Sequence, residues 1–289
     1  MTDSITGILK DFSVEMTAKD IDALHTARPY LPLGTRVNVT FLGSESPEAR
    51  LAAVQAIKEH RFVPVPHLSA RRLSSEAELE VFLRSLEAVG AGEHVFVVGG
   101  DPREPEGPYA EALDLITSAP LTGFGARTIG ITGYPEGHPD IPQDVLWQAL
   151  TAKASALADL GKTGDVITQF GFDVDAAISW IEDVRARGLD LPIRVGVPGP
   201  AGVKRLLSYA RRFGVGSSAG IARKYGFSLT NLLSTAGPDR FIGALADRLD
   251  PAVHGIVKLH FYAFGGLRAT AEWVRDFTAD SQFALRADA

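Results

Sequence analysis

The stretch His94-Val95-Phe96-Val97-Val98-Gly99-Gly100-Asp101 runs from a short apolar strand pattern through two glycines to a carboxylate, and the same plan recurs along the chain. Upstream, Glu15 closes Phe12-Ser13-Val14, Thr40 closes Val37-Asn38-Val39, and His67 closes Phe62-Val63-Pro64-Val65-Pro66. Downstream, Tyr134 follows Thr128-Ile129-Gly130-Ile131-Thr132-Gly133, and Gln169 follows Asp165-Val166-Ile167-Thr168. Helical patterns separate these segments. Alternating strands and helices imply a parallel sheet, and a parallel sheet that closes on itself gathers its strand C-termini at one mouth. Polar side chains scattered over most of the sequence would then face one another across a single pocket, as in an enzyme.

Eight strand candidates can be counted, at 12–15, 36–41, 62–66, 94–98, 128–132, 165–169, 192–197 and 256–262. They are short, rich in Val, Ile and Phe, and bounded by Gly or Pro, as strands buried on both faces should be. Ser46-Pro47 offers an N-cap followed by proline in the first turn of a helix. Ser75 and Glu78 have capping-box spacing. Ile178, Ile181 and Val184, beside Trp180, form an apolar stripe at helical spacing that should pack on the sheet. Between the last two strands lie helical patterns near 200–213, 218–225 and 238–248, an elaboration placed where it can shape a substrate site. No repeat, low-complexity tract or linker divides the chain. The expectation is an α/β fold in which residues 1–289 form a single (β/α)8 barrel, with a helical elaboration between strands 7 and 8.

Composition narrows the class. The chain is 45% hydrophobic and 22% charged, which is ordinary for a globular protein. It has no cysteine, which excludes disulfides, thiolate nucleophiles and Cys-ligated metals. A net charge of −6 argues against a nucleic-acid surface. No apolar run approaches the roughly 20 residues that span a bilayer, and Met1-Thr2-Asp3-Ser4-Ile5 lacks the plan of a signal peptide. A cytoplasmic protein that touches neither membrane nor nucleic acid is expected.

Motifs for several chemistries are missing. There is no His-Glu-x-x-His and no Gly-x-Ser-x-Gly, and no Gly-x-Gly-x-x-Gly follows a strand. His67, His138 and His260 with Asp101 could gather as a metal site, but no two of them share a strand as an H-x-H pair, so no metal is expected. Lys258 shares a parity with His260 and Tyr262, which keeps a Schiff-base lyase open as an alternative. A metal-assisted hydrolase using His67 and Asp101 is a second alternative.

In order along the chain come Glu15, Asn38-Val39-Thr40-Phe41, Pro66-His67-Leu68, Gly99-Gly100-Asp101 and Tyr134-Pro135-Glu136-Gly137-His138-Pro139. Ile167-Thr168-Gln169-Phe170-Gly171-Phe172-Asp173 and Leu259-His260-Phe261-Tyr262 follow. This series resembles the methylenetetrahydrofolate reductase family over nearly the whole chain. The resemblance implies a flavin-dependent (β/α)8 barrel that interconverts 5,10-methylene- and 5-methyltetrahydrofolate, with FAD as cofactor and NADH or NADPH as the other redox partner. It makes Glu15 the catalytic acid for opening the folate ring. Asp101 becomes a catalytic and folate-binding carboxylate beside the flavin, and Gln169 the amide that binds the substrate. Thr40, His67, Gly100, Asp101, Tyr134, His138 and Lys153 become cofactor contacts. It further implies a folate substrate, a homo-oligomer (dimer or tetramer) and a place in one-carbon metabolism, where some relatives work in the methyl-oxidising direction. A non-catalytic folate- or flavin-binding relative is the remaining alternative. Several positions depart from the family pattern. Met16-Thr17-Ala18 replaces Phe-x-Pro-Pro, Gly99 replaces an arginine suited to flavin phosphates, and Leu146 and Ala149 replace polar residues. Gly265-Gly266 replaces Asn-Arg, with Arg268 nearby.

Overall fold

The computed structural model describes residues 2–214 and 235–287. Strands β1 (Ser13–Met16), β2 (Arg36–Val39), β3 (Val63–Ser69) and β4 (His94–Val98) are each followed by helical segments. So are β5 (Thr128–Gly133), β6 (Val166–Phe170) and β7 (Ile193–Pro198). Two short strands, β8 (Ala201–Gly202) and β9 (Thr235–Ala236), pair antiparallel beside the main sheet. β10 (Val257–Tyr262) completes the main sheet. The order β1-β10-β7-β6-β5-β4-β3-β2 closes into a barrel of parallel strands, the (β/α)8 architecture expected from the alternation of patterns.

The periodicity of each strand divides its side chains between two environments. Outward-facing Val14, Val37, Ile131, Leu259 and Phe261 are fully buried under the helices, each contributing about 1.5–3 kcal/mol relative to exposure. From the helix side, Ile178, Ile181, Val184 and Trp180 are buried in turn, so the stripe packs as expected. Ser46 caps the helix Pro47–Glu59 by accepting from Ala49 N. Ser75 caps Glu76–Ala88, but the Glu78 carboxylate turns to Ser74 N and Oγ at 2.8 and 2.7 Å instead of completing the box with Ser75.

β3 runs to Ser69, three residues beyond the expected end at Pro66. Its pairing with β2 covers Val63 to Pro66, whereas its pairing with β4 begins only at His67. Pro64 and Pro66 have no N–H to give a neighbour, which fits a ladder to β4 confined to the residues past them.

The inward-facing residues form a charged floor and a polar mouth. At the floor, Arg194 Nε lies 2.7 Å from Asp165 Oδ2 and its Nη2 lies 2.9 Å from Asp11 Oδ2, while Arg36 Nη1 reaches Asp165 at 3.0 Å. A cavity of about 10 Å³ between these residues and Ser13, Asn38 and His94 has room for about one water. Lys258 Nζ donates to Gly7 O at 2.7 Å, tying the N-terminal helix Thr2–Leu9 to this end of the barrel. The elaboration between β7 and β10 contains the helices Val203–Arg212 and Asp239–Arg248, near the expected 200–213 and 238–248. The helix expected at 218–225 lies outside the described residues.

Candidate active site

Glu15 and Ser13 project from β1 toward β10, where Ser13 is the register partner of His260. His260 Nδ1 lies 2.8 Å from Ser13 Oγ, and its Nε2 lies 3.9 Å from Glu15 Oε2. The imidazole is fully buried, whereas the Glu15 side chain keeps 21% of its surface open to the mouth. The hydrogen bond between the Ser13 hydroxyl and Nδ1 holds the ring so that Nε2 faces the carboxylate. A partly exposed carboxylate thus stands against a buried, fixed imidazole at the mouth.

Around it stand the other expected residues. Burial lowers the pKa of His67 to about 4, against a smaller opposing pull from Glu15, so the ring is neutral near pH 7. Asn38 Nδ2 lies 3.2 Å from His67 Nε2, which makes Nε2 the acceptor and leaves the ring proton on Nδ1. Asn38 Oδ1, Thr40 Oγ1 and Ser69 Oγ are buried without hydrogen-bond partners. Unpaired buried polar atoms are rare enough to call for a partner, and these three sit on adjacent strands, β2 and β3, or at their ends. Gly100 adopts φ +102°, and a Cβ there would lie 2.3 Å from Ser69 Oγ, so only glycine fits.

β6 carries a surplus residue. Ile167 pairs with Arg194, yet Phe170 pairs with Gly196, so the strand bulges across Thr168 and Gln169. Gly196 N donates to Thr168 Oγ1 at 2.8 Å, and the Tyr262 hydroxyl donates to Thr168 O at 2.9 Å. A Cβ on Gly196 would lie 2.4 Å from Thr168 O. Gln169 sits in this bulge, its Oε1 accepting from Phe170 N at 3.1 Å.

The tyrosines link the two sides of the mouth. Burial, followed by the nearby Glu15 and Tyr134, pushes the Tyr262 phenol well above its ordinary range. Burial also raises Tyr134, eased by a hydrogen bond with Thr132 and reinforced by the charge of Asp101. Glu15, Tyr262, Tyr134 and Asp101 therefore share one electrostatic neighbourhood. Lys153 is buried at the start of this wall from the helix Gln143–Asp159, its Nζ donating to Thr132 Oγ1 at 2.9 Å. Desolvation lowers its pKa to about 8. His138 lies at the rim, its ring edge-on to Tyr134 with centroids 5.5 Å apart. Asp101 is also at the rim, with a side chain 74% exposed and Oδ2 3.3 Å from Arg72 Nη2.

Lys258, the candidate for Schiff-base chemistry, points to the floor and not to the mouth. Among the described residues, no group of three or more His, Cys, Asp or Glu side chains could hold a metal ion. No helix among the described residues is long and apolar enough to cross a membrane.

The family model described as methylenetetrahydrofolate reductase matches residues 13–275. The chain belongs to the methylenetetrahydrofolate reductase family. It is 33% identical to methylenetetrahydrofolate reductase 2 of Saccharomyces cerevisiae over 130 residues, 42% of this chain and 20% of the yeast protein. It is 28% identical to 5,10-methylenetetrahydrofolate reductase of Pectobacterium carotovorum over 193 residues, 66% of this chain and 60% of that one. The chain thus spans less than two thirds of the curated relatives it matches. Among solved structures, dihydropteroate synthase of Thermus thermophilus superposes over 93% of this chain and 92% of that chain, with a TM-score of 0.48 and 13% identity.

Several mouth residues of this family member escaped sequence reasoning. Ser69 has the same strand parity as His67, but β3 was expected to stop before it. Tyr209 stacks on Phe264 with centroids 4.0 Å apart, and Phe170 packs edge-on against Phe264, Phe213 and Tyr262. Beside this cluster an open groove of about 1020 Å³ is lined by Lys204, Arg205, Tyr209, Arg212, Glu272 and Trp273. The concentration of aromatics at 209, 213, 262 and 264 was the one signal available for it. Arg268, the arginine nearest the family's Asn-Arg position, pairs with Glu272 at 2.9 Å on the last helix.

Proposed function

We propose that the chain is a flavin-dependent oxidoreductase that interconverts 5,10-methylene- and 5-methyltetrahydrofolate, with NADH or NADPH as the other redox partner. The observation that carries this reading is Glu15, held at the barrel mouth beside the buried His260–Ser13 pair. Opening the five-membered folate ring needs a proton at the departing nitrogen, and a carboxyl group can deliver it if it is fixed within hydrogen-bond reach. In this reading Glu15 carries that proton, and His260 orients the carboxylate and moderates its charge between turnovers. Gln169 offers an amide that can donate and accept toward the pterin edge.

The residues present fit a flavin. Lys153 is a buried ammonium whose only hydrogen bond among the described residues is to a neutral hydroxyl, which suits a phosphate partner. The unpaired Thr40 and Ser69 hydroxyls and the bare backbone of Gly100 offer close approach to a polar group. Thr40, His67, Tyr134 and His138 would line it. A bound flavin would supply hydride transfer between nicotinamide and the folate one-carbon unit, while the protein supplies orientation and electrostatics. We assign the same chain a cytoplasmic, homo-oligomeric state with residues 1–289 as one catalytic barrel, and leave both reaction directions within its reach.

The test is spectroscopic. Protein purified or reconstituted with FAD should be yellow, should bleach anaerobically with NADH or NADPH, and should regain its colour on addition of methylenetetrahydrofolate. A protein that takes up no flavin under any loading condition would sink the proposal.

A further inference from the structure

Arg72 follows β3 in the short turn Ala70–Arg72, and its guanidinium bridges the loops that leave β2 and β4. On one side it lies against Gly43, where a Cβ would stand 2.0 Å from Nη1. On the other, Nη2 makes its single 3.3 Å contact with Asp101 Oδ2. The arginine side chain is 17% exposed and the aspartate 74%. Arg71, by contrast, is committed to the backbone, donating to Ala110 O at 2.7 Å and to Pro102 O at 3.3 Å. Three residues before Arg72, the fully buried Ser69 holds an unpaired hydroxyl against Gly100. Three residues before Gly43, Thr40 holds another.

We propose that Arg72 is a second cation, besides Lys153, by which this chain binds the phosphate of its cofactor. The inference rests on the flavin reading above. Glycine at 43 clears the space the guanidinium needs, and the Ser69 and Thr40 hydroxyls supply donors on the same side of the mouth. A pair with so exposed a carboxylate contributes little to stability, so Asp101 is a placeholder that a phosphate can displace. A phosphate accepts parallel N–H bonds from the planar guanidinium, a stronger arrangement than the single contact it replaces.

The experiment titrates the full chain with FAD, FMN and riboflavin, reading flavin fluorescence. FAD and FMN carry phosphate; riboflavin does not. Arg72→Met should weaken FAD and FMN by roughly tenfold to a hundredfold, the range of one charge-assisted contact, and leave riboflavin unchanged. Arg72→Lys should recover part of the loss. Added salt should weaken FAD on the unaltered protein more than riboflavin. Arg72→Gln, which keeps a polar stem and removes only the charge, should show the same FAD and FMN loss and decides the matter if Arg72→Met fails to fold. Unchanged FAD affinity in Arg72→Met, or an equal loss for riboflavin, overturns the role of Arg72 while leaving the flavin reading intact. Failure of the unaltered protein to bind all three flavins overturns both.

Discussion

Nε2 of His260 stands 3.9 Å from Oε2 of Glu15, a separation at which a small movement of the carboxylate makes or breaks a hydrogen bond. The imidazole cannot follow, because Ser13 Oγ holds its other nitrogen at 2.8 Å and its ring meets Tyr262 edge-on at 4.9 Å between centroids. The imidazole is buried and the carboxylate faces the mouth, which suits the proton transfer proposed for Glu15.

Glu15→Gln keeps the shape of the side chain and removes the proton. We expect normal flavin uptake and normal bleaching by the nicotinamide nucleotide. Folate-dependent reoxidation should slow by about 10²–10⁴-fold, the span typical of general acid catalysis. Stopped-flow measurement of the two half-reactions checks this, and a near-normal folate step would remove Glu15 from the chemistry.

Ser13→Ala leaves the buried Nδ1 of His260 without its partner, at a cost of about 1–3 kcal/mol in stability. The loosened ring should also alter the pH profile of the folate half-reaction while leaving the nicotinamide half-reaction alone. A variant that only melts earlier, with an unchanged profile, would reduce Ser13 to a packing role.

Lys153 gives a stability prediction with a definite sign. Burial lowers its pKa from 10.5 to about 8, so between those values the unfolded chain holds a proton that the folded chain has released. Stability then rises with pH across that window, and below about pH 8 the buried charge imposes its full cost. Lys153→Met should therefore raise stability near pH 7 by roughly 1–3 kcal/mol, with the gain shrinking as pH climbs toward 10.5. Flavin affinity should fall in the same variant. Denaturation at several pH values, beside a flavin titration, tests both halves.

Gly100→Ala should destabilise the fold by about 1–3 kcal/mol, because alanine is strained at positive φ and its methyl group would collide with Ser69 Oγ. Gly100→Ala combined with Ser69→Gly should regain the steric part and not the backbone part. Urea midpoints of the single and double variants separate the two contributions.

Much of this was written in the chain and some was not. The strands were readable because each is buried on both faces, which forces an unbroken apolar run, and the polar residue that ends each run marks the mouth. β3 misled because two prolines resemble a terminator, although a strand tolerates them where the neighbouring ladder is absent. The Glu15–His260 and Asp101–Arg72 relationships join residues far apart in sequence, so no local pattern announces them. Lys258 shares the parity of His260 and Tyr262, but it is the second residue of β10, and its place at the N-terminal end of the strand puts it at the floor. The bulge in β6 is a relation between two registers, and one strand read alone cannot contain it.

Gln169→Glu keeps the length of the side chain but exchanges its donor for a second acceptor, at a cost of about 1–3 kcal/mol wherever a ligand carbonyl loses its partner. Both half-reactions should slow together if nicotinamide and pterin use this amide in turn. A defect confined to one half-reaction would show that they do not.

In an open sheet an extra residue can be relieved by letting the strand slide until the offset leaves at an edge. The closed ring of eight strands has no edge, so the surplus at Thr168 and Gln169 is trapped. The Thr168 hydroxyl, the bare Gly196 and the Tyr262 phenol pin it in place. The amide at the mouth is thereby indexed to the circumference of the wall itself, and its position depends on the ring staying closed and not on the loops around it.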